Sequence, residues 1–228
     1  MCRKVLIIAL LLLSYTLVAG DVATYVNLGF SSNSRYFLFG QYGIDSESTK
    51  PYAQLFLVDV FRNDFVPQGV IKKDFDIDAQ PGQEGLGALI RIIRENSGLI
   101  SKYDIDNVEI GRVLYLLVNG EEPKSQLNFR DFYNDRTINV FLNQQKFGSG
   151  SGVSASFSLD LDVTVKDGVR KNYRVGLPDL KRKGVQSYRI KQVCYTPDEN
   201  ALVFVIERDE YQKEGINVRY MVETVKLF

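Results

Sequence analysis

Apolar and polar residues alternate without a break along residues 153–165. Val153, Ala155, Phe157, Leu159, Leu161, Val163 and Val165 hold the odd positions, and Ser, Asp or Thr fills every even one. A period of two predicts a long β-strand with one face on a core and the other in water. The Gly-Ser run at 148–152 leads into it. Lys166-Asp167-Gly168-Val169 then puts Asp-Gly at the centre of a two-residue hairpin turn, with a return strand through 173–175. Shorter apolar or aromatic runs predict further strands at 36–40, 54–60, 111–118, 126–132, 137–147, 188–195 and 201–207. A last strand covers 215–227, where the apolar series Ile216, Val218, Tyr220, Val222 changes parity to Val225 and Leu227. That shift predicts a bulge near Glu223-Thr224.

The period changes once. Leu86, Leu89, Ile90 and Ile93 fall at i, i+3, i+4 and i+7 opposite Arg91, Arg94 and Glu95, which predicts an amphipathic helix near residues 84–98 that stops at Gly98. The expected class is α+β and β-rich, antiparallel sheets with one inserted helix. One internal similarity stands out: Phe30-Ser31-Ser32-Asn33 before Phe37-Leu38-Phe39 has the spacing of Tyr195-Thr196-Pro197-Asp198 before Leu202-Val203-Phe204. Two copies are too few for a closed propeller, so they are expected to be two similar hairpins in one β-rich domain.

The N-terminus has its own pattern. Arg3 and Lys4 precede nine consecutive apolar residues, 5–13, and Val18-Ala19-Gly20 supplies small residues at the spacing of a signal-peptidase site. Residues 1–20 are therefore expected to be a signal peptide cleaved before Asp21. The segment is broken by Ser14 and Thr16 and falls short of the about 20 apolar residues that span a bilayer. The expectation is a secreted or periplasmic chain, residues 21–228, with no transmembrane span after cleavage. Cleavage removes Cys2, leaving Cys194 as the single thiol, and removes Arg3 and Lys4, leaving 26 basic against 28 acidic groups. Such a balance gives no electrostatic footprint for nucleic acid.

Composition then narrows the chemistry. The chain has no histidine and no tryptophan. Serine-histidine and cysteine-histidine nucleophiles, histidine zinc ligands and the commonest pH switch are all absent. Cys194, in a predicted strand without a partner thiol, is expected to be a buried structural residue. No catalytic residue and no cofactor emerges.

The weak metal candidates are Asp74, Asp76 and Asp78, an alternating acidic triplet that could offer oxygens to calcium. A helix-loop-helix calcium loop needs Gly at its sixth position and Glu at its twelfth, whereas Ala79 and Gly85 stand there. Asp104, Asp106 and Glu109 make a weaker case. Gly82, Gly85 and Gly87 lack the flanking strand and Gly-Lys-Ser/Thr of a phosphate loop. Lys181-Arg182-Lys183, near Arg189 and Lys191, is the only basic cluster, and a solvated loop is expected there.

Gly29-Phe30-Ser31, Arg35-Tyr36-Phe37 with Phe39, Gln41-Tyr42-Gly43, Pro51-Tyr52-Ala53 with Val58-Asp59, and a terminal Glu214-Gly215 with Arg219 and Lys226-Leu227 resemble a bacterial family. It is the family of predicted secreted proteins of domain of unknown function 2259. The resemblance is strongest at the two ends of the mature chain and weak over 104–152. It implies export and a single domain, and it carries no catalytic residue over to this chain. The favoured expectation is an exported cell-envelope protein that binds or builds, without catalysis, with an envelope protein or glycan as partner. The alternative is a carboxylate-dependent hydrolase acting on envelope glycan, which needs two carboxyl groups facing across a cleft.

Overall fold

The computed structural model describes residues 20–227 apart from 81, 167 and 214, so all but the last residue of the predicted signal peptide lies outside the described residues, as does the Asp167 of the predicted hairpin turn. The architecture is β-rich, with three antiparallel sheets and few helices. One sheet has the order β4 (Asp64–Asp74), β3 (Pro51–Asp59), β2 (Tyr36–Ile44), β1 (Thr24–Ser31), β5 (Ile105–Asp106). A second, central sheet is β13 (Gly215–Lys226), β12 (Ala201–Gln212), β11 (Val185–Tyr195), β6 (Arg112–Leu116). The third is β10 (Arg170–Lys183), β9 (Ser154–Thr164), β8 (Arg136–Phe147), β7 (Gln126–Asp131).

The sheets stack face to face. Phe30, Phe37, Phe39, Phe56 and Val58 of the first sheet pack against Cys194, Val203, Val205, Tyr220 and Val222 of the central one. The opposite face of the central sheet, with Tyr188, Ile190, Leu202, Phe204, Ile206 and Val225, packs on Ile138, Val140, Phe157, Leu159, Leu161 and Val163 of the third. The central sheet is therefore buried on both faces, and β12 is apolar at every position from 201 to 206 because neither face meets water. Helix α1 (Leu86–Glu95) covers the outer face of the first sheet through Ala88, Leu89 and Ile92 against Leu38, Leu55 and Leu57.

Several expectations change. The parity shift in β13 is no bulge, since β12 and β13 pair in unbroken register from Ala201↔Lys226 to Gln212↔Gly215. Val218, Tyr220 and Val222 face the first sheet while Met221, Val225 and Leu227 face the third, so the shift marks which core is being filled. Helix α1 ends at Glu95 and Asn96 breaks it; Gly98 lies inside a second short helix, α2 (Ser97–Lys102). Its buried face is Ala88, Leu89 and Ile92, which leaves Leu86 and Ile90 38% and 58% exposed. The β9–β10 connection is longer than two residues: Val165 pairs with Val169 through a backbone bond, and Gly168 takes a positive φ of 74°. The even face of β9 is not wet throughout, because Ser156 and Ser158 are buried. Strands β1 and β4 and most of β10 were not foreseen, β4 because its exposed positions follow no period of two.

The two similar hairpins carry the same turn. Ser31 Oγ donates to Asn33 Oδ1 and accepts from the Tyr36 N–H, at 2.7 and 2.9 Å; Thr196 Oγ1 donates to Asp198 Oδ1 and accepts from the Ala201 N–H, at 2.6 and 3.1 Å. Ser34 and Glu199 occupy matching left-handed positions, φ 58° and 56°. The turns close hairpins in facing sheets and touch, the Asp198 N–H donating to Ser34 Oγ at 3.2 Å.

Candidate ligand-binding pocket

Two polar clefts compete as a site, and hydrogen bonding separates them. One lies at the end of the stack bearing the β7–β8 and β11–β12 turns, lined by Arg112, Tyr133, Asn134, Arg136 and Glu199 among others. Its groups satisfy one another. Arg112 donates to Glu199 Oε1 at 2.6 Å and to Asp131 Oδ2 at 3.0 Å, Asn134 donates to Asp131 at 2.8 Å, and Arg136 donates to the Glu199 carbonyl at 2.9 Å. These contacts tie the central sheet to the third, and the cleft is read as a structural joint.

The joint makes an acid-stability prediction. Burial works to raise the Asp131 carboxyl, but hydrogen bonds from Arg112 and Asn134 and the charge of Arg112 outweigh it, holding the group at about 2 against an ordinary 3.8. A depressed carboxyl contributes stability that is complete above pH 3.8 and is lost as pH falls toward 2. With Arg112 partly exposed, that contribution is about 1–2 kcal/mol. Asp131→Asn is expected to flatten the acid limb of a urea-denaturation series run from about pH 5 to about pH 2, the range over which that contribution is lost. An unchanged acid limb would remove the assignment.

The other cleft is a cavity of about 250 Å³ between the first and third sheets, along the free edge of β13. Val58, Phe65, Leu177, Met221 and Val222 supply apolar wall, and Asn63, Asp64, Arg182 and Glu223 supply polar groups. Each arrives there for a local reason. Asn63 sits in the β3–β4 turn at φ 52°, a left-handed position that Asn tolerates. Its Oδ1 accepts from the Thr224 N–H at 2.7 Å, and its Nδ2 donates to Glu223 Oε2 at 2.6 Å. Thr224 also donates from Oγ1 to the Val60 carbonyl at 2.7 Å, so the turn is pinned to β13.

Arg182 reaches the cavity through an irregularity in β10. Leu177 pairs with Phe157 but the next pair is Arg182↔Ala155, so residues 178–181 swing away from the ladder. Gly176, at φ 85°, starts the excursion where a Cβ would lie 3.0 Å from the Phe157 carbonyl oxygen, and Pro178 has no N–H to offer the ladder. Cross-strand partners share a face, and Ala155 faces the core, so Arg182 returns pointing inward beside a side chain small enough to leave room. Its guanidinium lies 5.4 Å from the centre of the Phe157 ring, and its Nη1 is buried with no hydrogen-bond partner.

Glu223 is 6% exposed. Burial pushes its carboxyl above the ordinary carboxylate range, opposed by the Asn63 hydrogen bond and the nearby Arg182 charge. A carboxyl raised in the folded state favours folding while protonated, and that advantage declines as pH rises through its folded value. The outer edge of β13 adds one more group. The N–H of Val218 donates to the Asp21 carbonyl, that of Tyr220 to Gln41 Oε1 and that of Thr224 to Asn63 Oδ1. Antiparallel alternation directs the Val222 N–H to the same edge, which here is the cavity wall.

The residues singled out in the sequence are elsewhere. Asp74, Asp76 and Asp78 lie at and beyond the end of β4, where Asp76 is paired with Lys50, and among the described residues no three His, Cys, Asp or Glu side chains gather as a metal-ligand set. Asp104 accepts from Ser32 and Asp106 from the Val108 N–H. Gly85 caps α1, and residues 150–152 form one 3₁₀ turn. Cys194 is fully buried, its thiol pushed up to about 12 by desolvation, so it is no ready nucleophile. The basic cluster is not one solvated loop. Arg182 turns inward from a paired strand, Arg189 is bridged to Glu207 and Asp209, and the Lys191 ammonium donates to the Leu117 carbonyl at 3.0 Å. No described helix is long and apolar enough to cross a membrane.

Arg182 and Glu223 were missed as a pair, being 41 positions apart. A signal existed for Glu223: it occupies an odd position between Met221 and Val225, the one charge in that apolar series. No curated protein matches the chain. A family model described as a predicted secreted protein, DUF2259, matches residues 38–226, which take in all but β1 and the start of β2, and include the residues that line the cavity. With that much of its length covered, the chain belongs to the DUF2259 family of predicted secreted proteins.

Proposed function

We propose that this secreted protein is a non-enzymatic binding module of the cell envelope, and that it holds a small amphiphilic ligand in the cavity between Phe65, Leu177, Arg182 and Glu223. The observation that carries the reading is a cavity walled by Val58, Phe65, Leu177, Met221 and Val222, with Asn63, Asp64, Arg182 and Glu223 supplying its polar side. At about 250 Å³ the cavity lies just below the usual range for small-molecule sites, which suits a short ligand.

The hydrolase reading has one supporting observation, that Asp64 and Glu223 line the same cavity. Against it, Asp64 is exposed and its Oδ1 already accepts from the Phe65 N–H at 2.8 Å.

The test is a titration of ¹⁵N-labelled protein with hexanol, hexanoate and hexylamine, followed by amide shift changes. Changes concentrated at Phe65, Leu177, Met221 and Val222 are expected with at least one probe. Failure of all three to perturb those amides would sink the binding reading. Hydrolysis of purified envelope glycan, abolished by Glu223→Gln, would replace it with the enzyme.

A further inference from the structure

We infer that the end of the stack bearing the β7–β8 and β11–β12 turns is a second binding site, and that it takes a neutral sugar of a glycan, stacked on Tyr133 and hydrogen-bonded in the cleft beside it. The site is separate from the cavity along β13, so either stands without the other. Phe132 and Tyr133, consecutive in the β7–β8 turn, are 82% and 84% exposed, whereas the next most exposed ring among the described residues, that of Phe65, is 45% exposed. Two adjacent rings left in water mark a contact surface.

Both rings are held in place. The Arg112 guanidinium lies 5.7 Å from the centre of the Tyr133 ring, and that of Arg130 lies 5.4 Å from the centre of the Phe132 ring. Arg112 is itself fixed by Glu199 and Asp131, and the Tyr133 N–H donates to Asp131 Oδ1 at 3.2 Å. The joint between the two sheets thus sets the platform before any ligand arrives, and less freedom is lost on binding. A ring so placed can receive the C–H face of a pyranose, which is apolar and of similar breadth.

The cleft, of about 520 Å³, selects what else the ligand carries. Its donors are largely spent within the chain. Asn134 Nδ2 donates to both Asp131 and Glu199, Asn200 Nδ2 donates to Asp198 Oδ2 at 3.0 Å, and Arg112 and Arg136 are engaged as described above. Acceptor capacity remains: Glu199 takes Arg112 at Oε1 and Asn134 at Oε2 out of about four lone-pair sites, and the network uses the Nδ2 but not the Oδ1 of Asn134 and Asn200. A ligand that brings hydroxyl donors finds partners there. Charge agrees, because the guanidiniums of Arg112 and Arg136 lie among the carboxylates of Asp131, Asp198 and Glu199, an arrangement that gives an anion such as phosphate no advantage. A hydrocarbon chain would have to desolvate these polar walls, which disfavours lipid.

The experiment titrates the full exported chain, ¹⁵N-labelled, with three neutral trisaccharides (N-acetylated chitotriose, maltotriose and mannotriose), with trigalacturonate as an acidic probe, and with phosphatidylglycerol vesicles. Amide shifts are expected at Tyr133, Asn134, Glu199 and Asn200 with at least one neutral trisaccharide. Tyr133→Ala should weaken that binding about tenfold or more without moving the melting temperature, since the ring is exposed, and Tyr133→Phe should keep most of it. Unchanged affinity in Tyr133→Ala overturns the inference. So does silence toward all three neutral sugars, or a response at those amides to trigalacturonate or vesicles alone. Shifts at Phe65 and Leu177 with short amphiphiles, but none at Tyr133 with sugars, would leave the cavity reading standing and sink this one.

Discussion

Phe204→Ala is expected to destabilise the protein by about 3–5 kcal/mol, lowering the melting temperature by roughly 10 °C or more. Phe204 lies on β12, the second strand of the doubly covered central sheet, and is fully buried in the core shared with the third sheet. Deleting the ring removes apolar burial and also leaves a void that cannot close easily. β12 is hydrogen-bonded to β11 on one side and β13 on the other, and its own neighbours Val203 and Val205 fill the opposite core. A shift of the strand to fill the hole on one face would open one on the other. The same substitution at Leu177, exposed at the cavity mouth, is expected to cost well under 1 kcal/mol. Thermal or urea denaturation of the two variants checks the contrast. A loss below 1 kcal/mol at Phe204 would mean that the sheets are not stacked as described.

Arg219→Ala is the second large effect, with an expected loss of about 3–5 kcal/mol near neutral pH. Arg219 Nη2 donates to Asp21 Oδ2 at 2.6 Å, its Nη1 donates to the Asp21 carbonyl at 3.0 Å, and its guanidinium lies 4.7 Å from the centre of the Tyr52 ring. Asp21 is bound at other atoms too. Its N–H donates to Asn217 Oδ1 at 2.8 Å, and Tyr52 Oη donates to its Oδ1 at 3.1 Å.

These contacts clamp residues 21–23 to β13, through the isolated parallel bridge Val22↔Val218. Without Arg219 the buried Asp21 carboxylate keeps the Tyr52 hydroxyl but loses its counter-charge. Desolvation already outweighs Arg219 in raising that carboxyl, and removing the cation raises it further. The deficit should therefore be largest above the titration of Asp21 and shrink as pH falls and the group takes up its proton. Asp21→Asn combined with Arg219→Ala should recover part of the loss at pH 7 and remove its pH dependence. A deficit that is flat with pH would mean that Arg219 acts through packing on Tyr52 alone.

Much of the layout was legible. The strict alternation of β9 predicted its core face, Val153 through Val163, because a strand with water on one side must segregate its side chains by parity. The paired hairpins at Phe30 and Tyr195 were visible as a spacing, and the structure shows why. A Ser or Thr hydroxyl, an Asn or Asp two residues on, and a left-handed residue close the same turn twice.

Where neither face meets water, parity loses its meaning. In β13 both sets of positions are buried, so the shift at Val225 was misread as a bulge when it records a change of core. Strand β4 and the second half of β10 are exposed edge strands, with no core face to impose a pattern. Helix α1 was found, but its buried stripe is turned toward Ala88 and Ile92, since the helix is oriented by the surface of β2 and β3 as well as by its own hydrophobicity.

The amino-acid sequence by itself determined the β-rich class, the family of secreted proteins and the exclusions that follow from a chain without histidine. Those are properties of composition and of local period, which survive without a third dimension. Tertiary structure alone decided the cavity. It takes the β3–β4 turn from one sheet, the edge of β13 from another and the irregular end of β10 from a third, and it turns one arginine of a basic tripeptide inward. Arg182 and Glu223 acquire their chemistry from desolvation and from each other's field. Neither quantity exists until the three sheets are stacked.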